Sequence, residues 1–184
     1  MQRDLVLRAT KGDHDAFASL ATNAYGRLHR TAQLILRRED LASDAVQEAL
    51  TSAWLHIRAV RDPDRFDAWL HRLVVRACYQ ELRRVKRGPI QVQVDSISGP
   101  GIDDSTQVLA DRDQLERGFR HLSVEHRAVL VVHHYLGLPD AEAAAVLDIP
   151  MGTYKSRLNR AHRSLRAALE ADARVAAIGK ESIA

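Results

Sequence analysis

Residues 137–169 read GLPDAEAAAVLDIPMGTYKSRLNRAHRSLRAAL, and this stretch decides the fold. Asp140 reads as the N-cap of a short helix, Ala141 to Leu147, because its carboxylate can accept the free N–H groups of a first turn. Asp148-Ile149-Pro150 then interrupts the helical pattern, and Asp tolerates a left-handed backbone better than most residues. A longer helix follows, roughly Met151 to Ala171, with Pro150 suited to its first turn, where no N–H is needed. A short helix, a tight turn and a longer basic helix is the helix-turn-helix arrangement. The second helix divides into two faces. Tyr154, Leu158, Ala161, Leu165 and Ala168 recur at helical spacing and form a docking side. Lys155, Ser156, Asn159, Arg160 and Arg163 share another face, and no acid occurs between Gly152 and Ala168. That face suits phosphates and guanine edges. A solvated basic face is the plainer reading, but the helix and turn before it favour DNA.

Working back from this element, Ser123 caps a helix carrying Val124, Ala128, Val129, Val131 and Val132, which stops at Gly137. Leu109, Leu115, Phe119 and Leu122 define another, beginning near Val108. Residues 107–173 thus read as one helical domain, and the tail, 174–184, reads as frayed. Residues 88–106 differ: Gly88, Pro89, Gly99, Pro100 and Gly101 stand among Ser and Asp with no helical period. The alternation Ile90 to Val94 has the period of a strand but no partner, so an extended, flexible linker is expected, and limited proteolysis should cut there first. Residues 1–87 carry three amphipathic stripes. One runs from Phe17 through Leu20, Ala24 and Leu28 to Ile35, behind an N-cap at Asp13; a second runs from Leu41 through Val46 and Ala53 to Ile57. The third follows the break at Arg61-Asp62-Pro63-Asp64 and runs from Phe66 through Leu70, Val74 and Cys78 to Leu82. The fold class is all-α: two small helical domains joined by a linker, the second containing the helix-turn-helix.

Composition agrees and narrows the function. Of 184 residues 46% are hydrophobic and only 5% aromatic, so the core must be aliphatic. The net charge of +3 does not single out a nucleic-acid binder; the placement of charge does. Cys78 is the single cysteine, which excludes an internal disulfide and a multi-Cys zinc site and reads as a core thiol. There is no apolar run of membrane-spanning length and no signal-type segment, so a cytoplasmic location is expected. No phosphate-cradling glycine loop and no His-Glu-x-x-His occur, so the expectation is a non-enzyme without cofactors. His121, His126, His133 and His134 cluster in sequence, but their spacing matches no common zinc pattern, and no metal is expected.

A second basic region closes the first block: Arg72, Arg76, Arg83, Arg84, Lys86 and Arg87 face one acid, Glu81, with Tyr79 among them and Phe66, Trp69 and His71 upstream. Cations beside aromatic rings suit single-stranded DNA, whose bases can stack. Phe66 and Trp69 also fit the apolar stripe, which favours core packing for both.

The order of these features resembles the extracytoplasmic-function (ECF) branch of the sigma-70 family. Asp44-Ala45-Val46-Gln47-Glu48 followed by Ala53-Trp54 looks like the family's D-x-V-Q-E … A-W helix. Phe66-Asp67-Ala68-Trp69-Leu70 with Arg83-Arg84 looks like its F-x-x-W-L … R-R segment. Gly137-Leu138, Glu142, Ala144 and Ile149-Pro150-x-Gly152-Thr153-x-Lys155-Ser156-Arg157-Leu158 closely match its G-L-x-x-x-E-x-A … I-P-x-G-T-V-K-S-R-L element. The resemblance implies a sigma factor that binds core RNA polymerase and starts transcription at particular promoters. It implies that Asp44, Gln47 and Glu48 dock on the clamp region of the polymerase's largest subunit. It assigns the minus-ten element to Arg65, Phe66, Trp69, Arg72, Arg76, Tyr79, Arg83 and Arg84, with the Ala59–Arg65 loop before them. The minus-thirty-five element falls to Thr153, Lys155, Ser156, Arg157, Asn159, Arg160 and Arg163. An anti-sigma factor is implied as a further partner. Leu50, Ser52, Arg76, Gln80, Leu122-Ser123, Asp148 and Tyr154 depart from the family pattern; Tyr154, in place of Val on the docking face, should tilt the recognition helix. A helix-turn-helix regulator acting without polymerase is the alternative, but it leaves the Asp44–Trp54 helix and the Arg72–Arg87 segment without a task.

Overall fold

The first turn after Gly12 shows how local chemistry sets the helices. Asp13 accepts a hydrogen bond from the backbone N–H of Ala16 at 3.0 Å, and the carboxylate is held in its charged form by that bond and by the Arg8 guanidinium. The computed structural model describes residues 1–87 and 114–181, with side chains from 1 to 85 and from 114 to 174. Among them all regular structure is helical. In chain order the helices are α1 (Gln2–Thr10), α2 (His14–Leu36), α3 (Glu39–His56), α4 (Phe66–Arg87), α5 (114–120), α6 (Val124–Leu130), α7 (Asp140–Val146) and α8 (Met151–Glu181). The expected linker with its Ile90–Val94 alternation, and Val108 and Leu109, lie outside the described residues.

The first block holds four helices rather than three. α1 is too short to declare itself by a stripe, yet it buries Val6 and Ala9 completely against α2. Gln2 donates to Asp67 at 2.9 Å and Arg3 meets Asp64 at 2.8 Å, which ties α1 to the start of α4. α3 packs along both α2 and α4. Its small buried residues, Ala42, Ala45, Ala49 and Ala53, let the backbones approach closely, while Leu28, Ile35, Leu70, Val74 and Cys78 fill the space between. Burial drives the Cys78 thiol up to about 12, as a core thiol requires. Between α3 and α4 two 3-10 turns, Ile57–Ala59 and Pro63–Arg65, occupy the expected break.

In the second block Ser123 caps α6 as expected, accepting from His126 N–H at 3.2 Å. α6 then widens into a π-helical turn, Val131–Tyr135, and ends at Gly137 with φ of 62°. Asp140 is not the cap of α7: it is the first helical residue, preceded by Pro139, and its carboxylate sits 3.7 Å from His133 Nδ1 instead. α8 is ten residues longer than expected and runs through the stretch read as a frayed tail. The Ala-rich sequence between Arg166 and Ala177 favours helix strongly enough to continue it. Gly118 on α5 is needed for close approach, because an added Cβ would fall 2.8 Å from Leu169 and 2.9 Å from Leu165 on α8.

The turn between α7 and α8 carries Asp148 at φ of 54°, the left-handed conformation anticipated for it. Ala there should cost about 1 kcal/mol by crowding its Cβ, and Gly should not. Urea denaturation of Asp148→Ala beside Asp148→Gly checks this, with Ala the less stable of the two.

Candidate polymerase and nucleic-acid interfaces

α8 enters the helix-turn-helix with Tyr154 fully buried, Ala161 fully buried, and Leu158 and Leu165 half-buried against α6 and α7. Tyr154 brings more than bulk. Its hydroxyl meets His133 Nδ1 at 3.0 Å, and Asp140 Oδ1 is 3.7 Å from the same nitrogen, so one point joins the π-turn, α7 and α8. Burial, then the Asp140 charge, raise the Tyr154 phenol above its ordinary range, so it stays a neutral partner there.

The docking side being satisfied, the opposite side is free. Lys155, Ser156, Asn159, Arg160 and Arg163 are exposed, while Thr153 and Arg157 are half-buried. Ser156 donates to Thr153 O at 3.0 Å, and Arg160 Nε donates to Ser156 O at 3.3 Å, so Arg160 lies back along its own helix. Asn159, His162, Arg163 and Arg166 line a concave surface beside this face. His162, not singled out from sequence, lies with its Nε2 2.8 Å from Nε2 of His134. Burial first, then the two neighbouring imidazoles, lower the His134 pKa. The signal for that pairing was tertiary: twenty-eight residues separate the two rings. Among the described residues no group of three or more His, Cys, Asp or Glu stands where it could hold a metal ion.

On α3 the sorting is equally clear. Asp44, Gln47 and Glu48 are exposed, and Ala45, Val46 and Ala49 between them are buried. Trp54 faces inward and packs on His14 and Phe17, with ring centroids 4.4 and 5.0 Å away. Leu55, 69% exposed, lies four and seven residues beyond Thr51 and Glu48 and so extends the Asp44–Glu48 face.

α4 divides the residues assigned to the minus-ten element. Arg72, Arg76 and Arg83 are exposed, as is Arg65 in the turn before them. Arg84 is exposed but engaged, 2.9 Å from the buried carboxylate of Glu81. Phe66 is 2% exposed and belongs to the core, leaving no ring face for a base in this arrangement; Trp69 is half-buried against it at 5.8 Å. The apolar stripe on which both were read explains the result. Tyr79 is half-buried, its hydroxyl fully enclosed near Arg157, and burial raises its pKa to about 12.

A helix-turn-helix with an acid-free cationic reading face, on a chain that also carries an exposed polar-acidic helix and a basic helix, defines a multi-contact protein of transcription. Comparison with known proteins narrows that class. The family model described as Sigma-70 region 2 matches residues 20–88, and that of Sigma-70, region 4 matches residues 112–165. The chain is similar to the ECF RNA polymerase sigma factor SigM of Mycobacterium tuberculosis, 34% identical over 162 residues, covering 88% of this chain and 81% of SigM. It is also similar to the ECF RNA polymerase sigma-E factor of Escherichia coli, 29% identical, covering 88% and 90%. Among solved structures it resembles CnrH, solved in complex with the cytosolic domain of CnrY, with a TM-score of 0.63 and 26% identity over 93% of this chain and 98% of that one. The chain belongs to the ECF sigma factors of the sigma-70 family. It is a subunit that works with core RNA polymerase at promoter DNA to initiate transcription. No helix among the described residues is long and apolar enough to cross a membrane.

Proposed function

We propose that the three exposed faces divide the work of initiation. Asp44, Gln47 and Glu48 on α3 hold the protein on the clamp of core polymerase. The recognition helix places Lys155, Ser156, Asn159 and Arg160 in the major groove of the minus-thirty-five element, with Thr153, Arg157 and Arg163 on the phosphates around it. Arg65, Arg72, Arg76, Arg83 and Arg84 guide the displaced strand of the minus-ten element, with Trp69 and Tyr79 as its aromatic contacts and Phe66 as the core residue that seats α4. Residues 1–87 and 107–173 act as the two working domains, 88–106 as the connector between them and 174–184 as a terminal extension. The protein acts in the cytoplasm, performs no chemistry of its own and needs no cofactor. An anti-sigma factor is the further partner; the sigma factor RpoE of Bartonella quintana, similar in fold with a TM-score of 0.69, was solved in complex with the anti-sigma factor NepR.

The observation that carries this division is the exposed, acid-free face of α8 opposite a fully satisfied docking face. Arg is the best bidentate partner for guanine, and Asn pairs with adenine in the same way. Arg160→Ala is therefore expected to cost about 1–3 kcal/mol at one base pair and relax preference there. Arg163→Ala is expected to weaken all promoters alike and reduce the salt slope by about one. Holoenzyme binding to a library randomised in the upstream element, at two salt concentrations, separates the two. An unchanged preferred sequence for Arg160→Ala would remove it from the readers.

A further inference from the structure

His133, His134 and His162 gather three imidazoles where the π-turn meets α8. Ring centroids lie 4.6 Å apart for His133 and His134, 5.1 Å for His134 and His162, and 6.5 Å for His133 and His162. His133 is engaged in the fold through the Tyr154 hydroxyl and Asp140. His134 and His162 are exposed and meet each other, Nε2 to Nε2, at 2.8 Å. A bond between two such nitrogens fixes the proton count. In the neutral pair one ring donates and the other accepts, so one Nδ1 carries a proton and the other a lone pair. A further proton makes one ring an imidazolium without breaking the shared bond, and both Nδ1 atoms become donors. Yet another would set N–H against N–H and part the rings.

The surroundings decide what such a pair can hold. His162 shares one concave surface with Asn159, Arg163 and Arg166, and Asn159 and Arg163 also belong to the reading face of α8. No acid occurs between Gly152 and Ala168. From the π-turn His133 faces His134, and from α7 the Asp140 carboxylate lies 3.7 Å from His133 Nδ1. Burial first, then His133 and His162, lower the His134 pKa, which keeps that ring neutral near neutral pH in the free protein. An anion with acceptor-only oxygens reverses this balance: its charge favours the imidazolium, and its oxygens accept from the new N–H.

We propose that His134 and His162 complete, with Arg163 and Arg166, a proton-linked site for a phosphate of the DNA backbone on the flank of the recognition helix. The site rests on the reading of α8 as the DNA-binding helix, and it adds a grip that changes with pH. Binding takes up a proton here, because the phosphate lifts the imidazole pKa above its free-state value. The added affinity is therefore full below the free-state pKa and is lost as pH rises through the bound-state one.

Holoenzyme affinity for an upstream-element duplex, measured at two salt concentrations, tests this. It should be about three- to tenfold higher near pH 6 than near pH 8, with a salt slope steeper by about one at the lower pH. His162→Gln keeps a hydrogen-bonding side chain that does not titrate. It should lose most of the pH response and the added slope, and keep the urea midpoint of the parent. His162→Lys supplies a permanent cation, so at the higher pH it should bind as tightly as the parent does at the lower, with a flat response. Equal parent affinity at both pH values, or a His162→Gln response like the parent's, overturns the proposal. So does a His162→Gln protein that weakens equally at both pH values with a lowered urea midpoint, since the pair would then only hold the π-turn on α8. A His162→Lys protein no tighter than the parent at the higher pH removes the phosphate. Arg160→Ala should relax sequence preference and keep the pH response; an unchanged preferred sequence there fails the recognition reading by itself.

Discussion

Tyr154→Ala should unfold much of the helix-turn-helix half. Tyr154 is among the largest fully buried side chains of the protein, with no accessible surface. Truncating an aromatic residue in such a site costs about 3–5 kcal/mol, the lost transfer energy plus the cavity left behind. That is a large part of the stability of a small helical domain. Tyr154→Phe keeps the ring and removes only the hydroxyl that meets His133 Nδ1, so its expected cost is about 1 kcal/mol. Helical signal by circular dichroism during urea denaturation checks both. Holoenzyme binding to upstream-element duplex should follow the same order, near-native for Phe and lost for Ala. A Tyr154→Ala protein as stable as the parent would mean that the α6–α8 packing is not what holds the recognition helix.

The second large effect is functional rather than structural. Gln47→Ala with Glu48→Ala should weaken binding to core polymerase by about 2 kcal/mol or more, close to thirtyfold, if α3 supplies the interface hot spot. Both side chains are exposed, with Val46 and Ala49 beside them carrying the packing, so the helices should be untouched. Adding Asp44→Lys should deepen the loss, since a reversed charge meets whatever cation had paired with the acid. Gel filtration with core enzyme reads the binding and circular dichroism the fold. Unchanged co-elution of the folded variant would take the polymerase contact away from this face.

These two expectations stand on different kinds of legibility. Periodicity alone places Ala45, Val46 and Ala49 inside and Gln47 and Glu48 outside, because a helix turns 100° per residue and has no other way to bury a stripe. The same reasoning places Tyr154, Leu158 and Ala161 on the docking side, and the caps at Asp13 and Ser123 and the left-handed turn at Asp148 are local chemistry that needs no tertiary partner. Function is legible because the motifs at Asp44–Trp54, Phe66–Arg84 and Gly137–Leu158 resemble those of the sigma-70 family, two of whose segment models match residues 20–88 and 112–165.

Where sequence reasoning fell short, the missing term was contact between distant residues. α1 is marginal as an isolated helix and exists because Val6 and Ala9 find a surface on α2. Asp140 looks like a cap by position, but its place as the first residue of α7, 3.7 Å from His133, comes from the π-turn lying beside that helix. The pairing of His134 with His162 and the hold of Arg127 on Ile35 join residues 28 and 92 positions apart. No stripe, cap or motif encodes such pairings. They arise only when whole helices dock, because which side chains meet depends on the crossing of the helices that carry them.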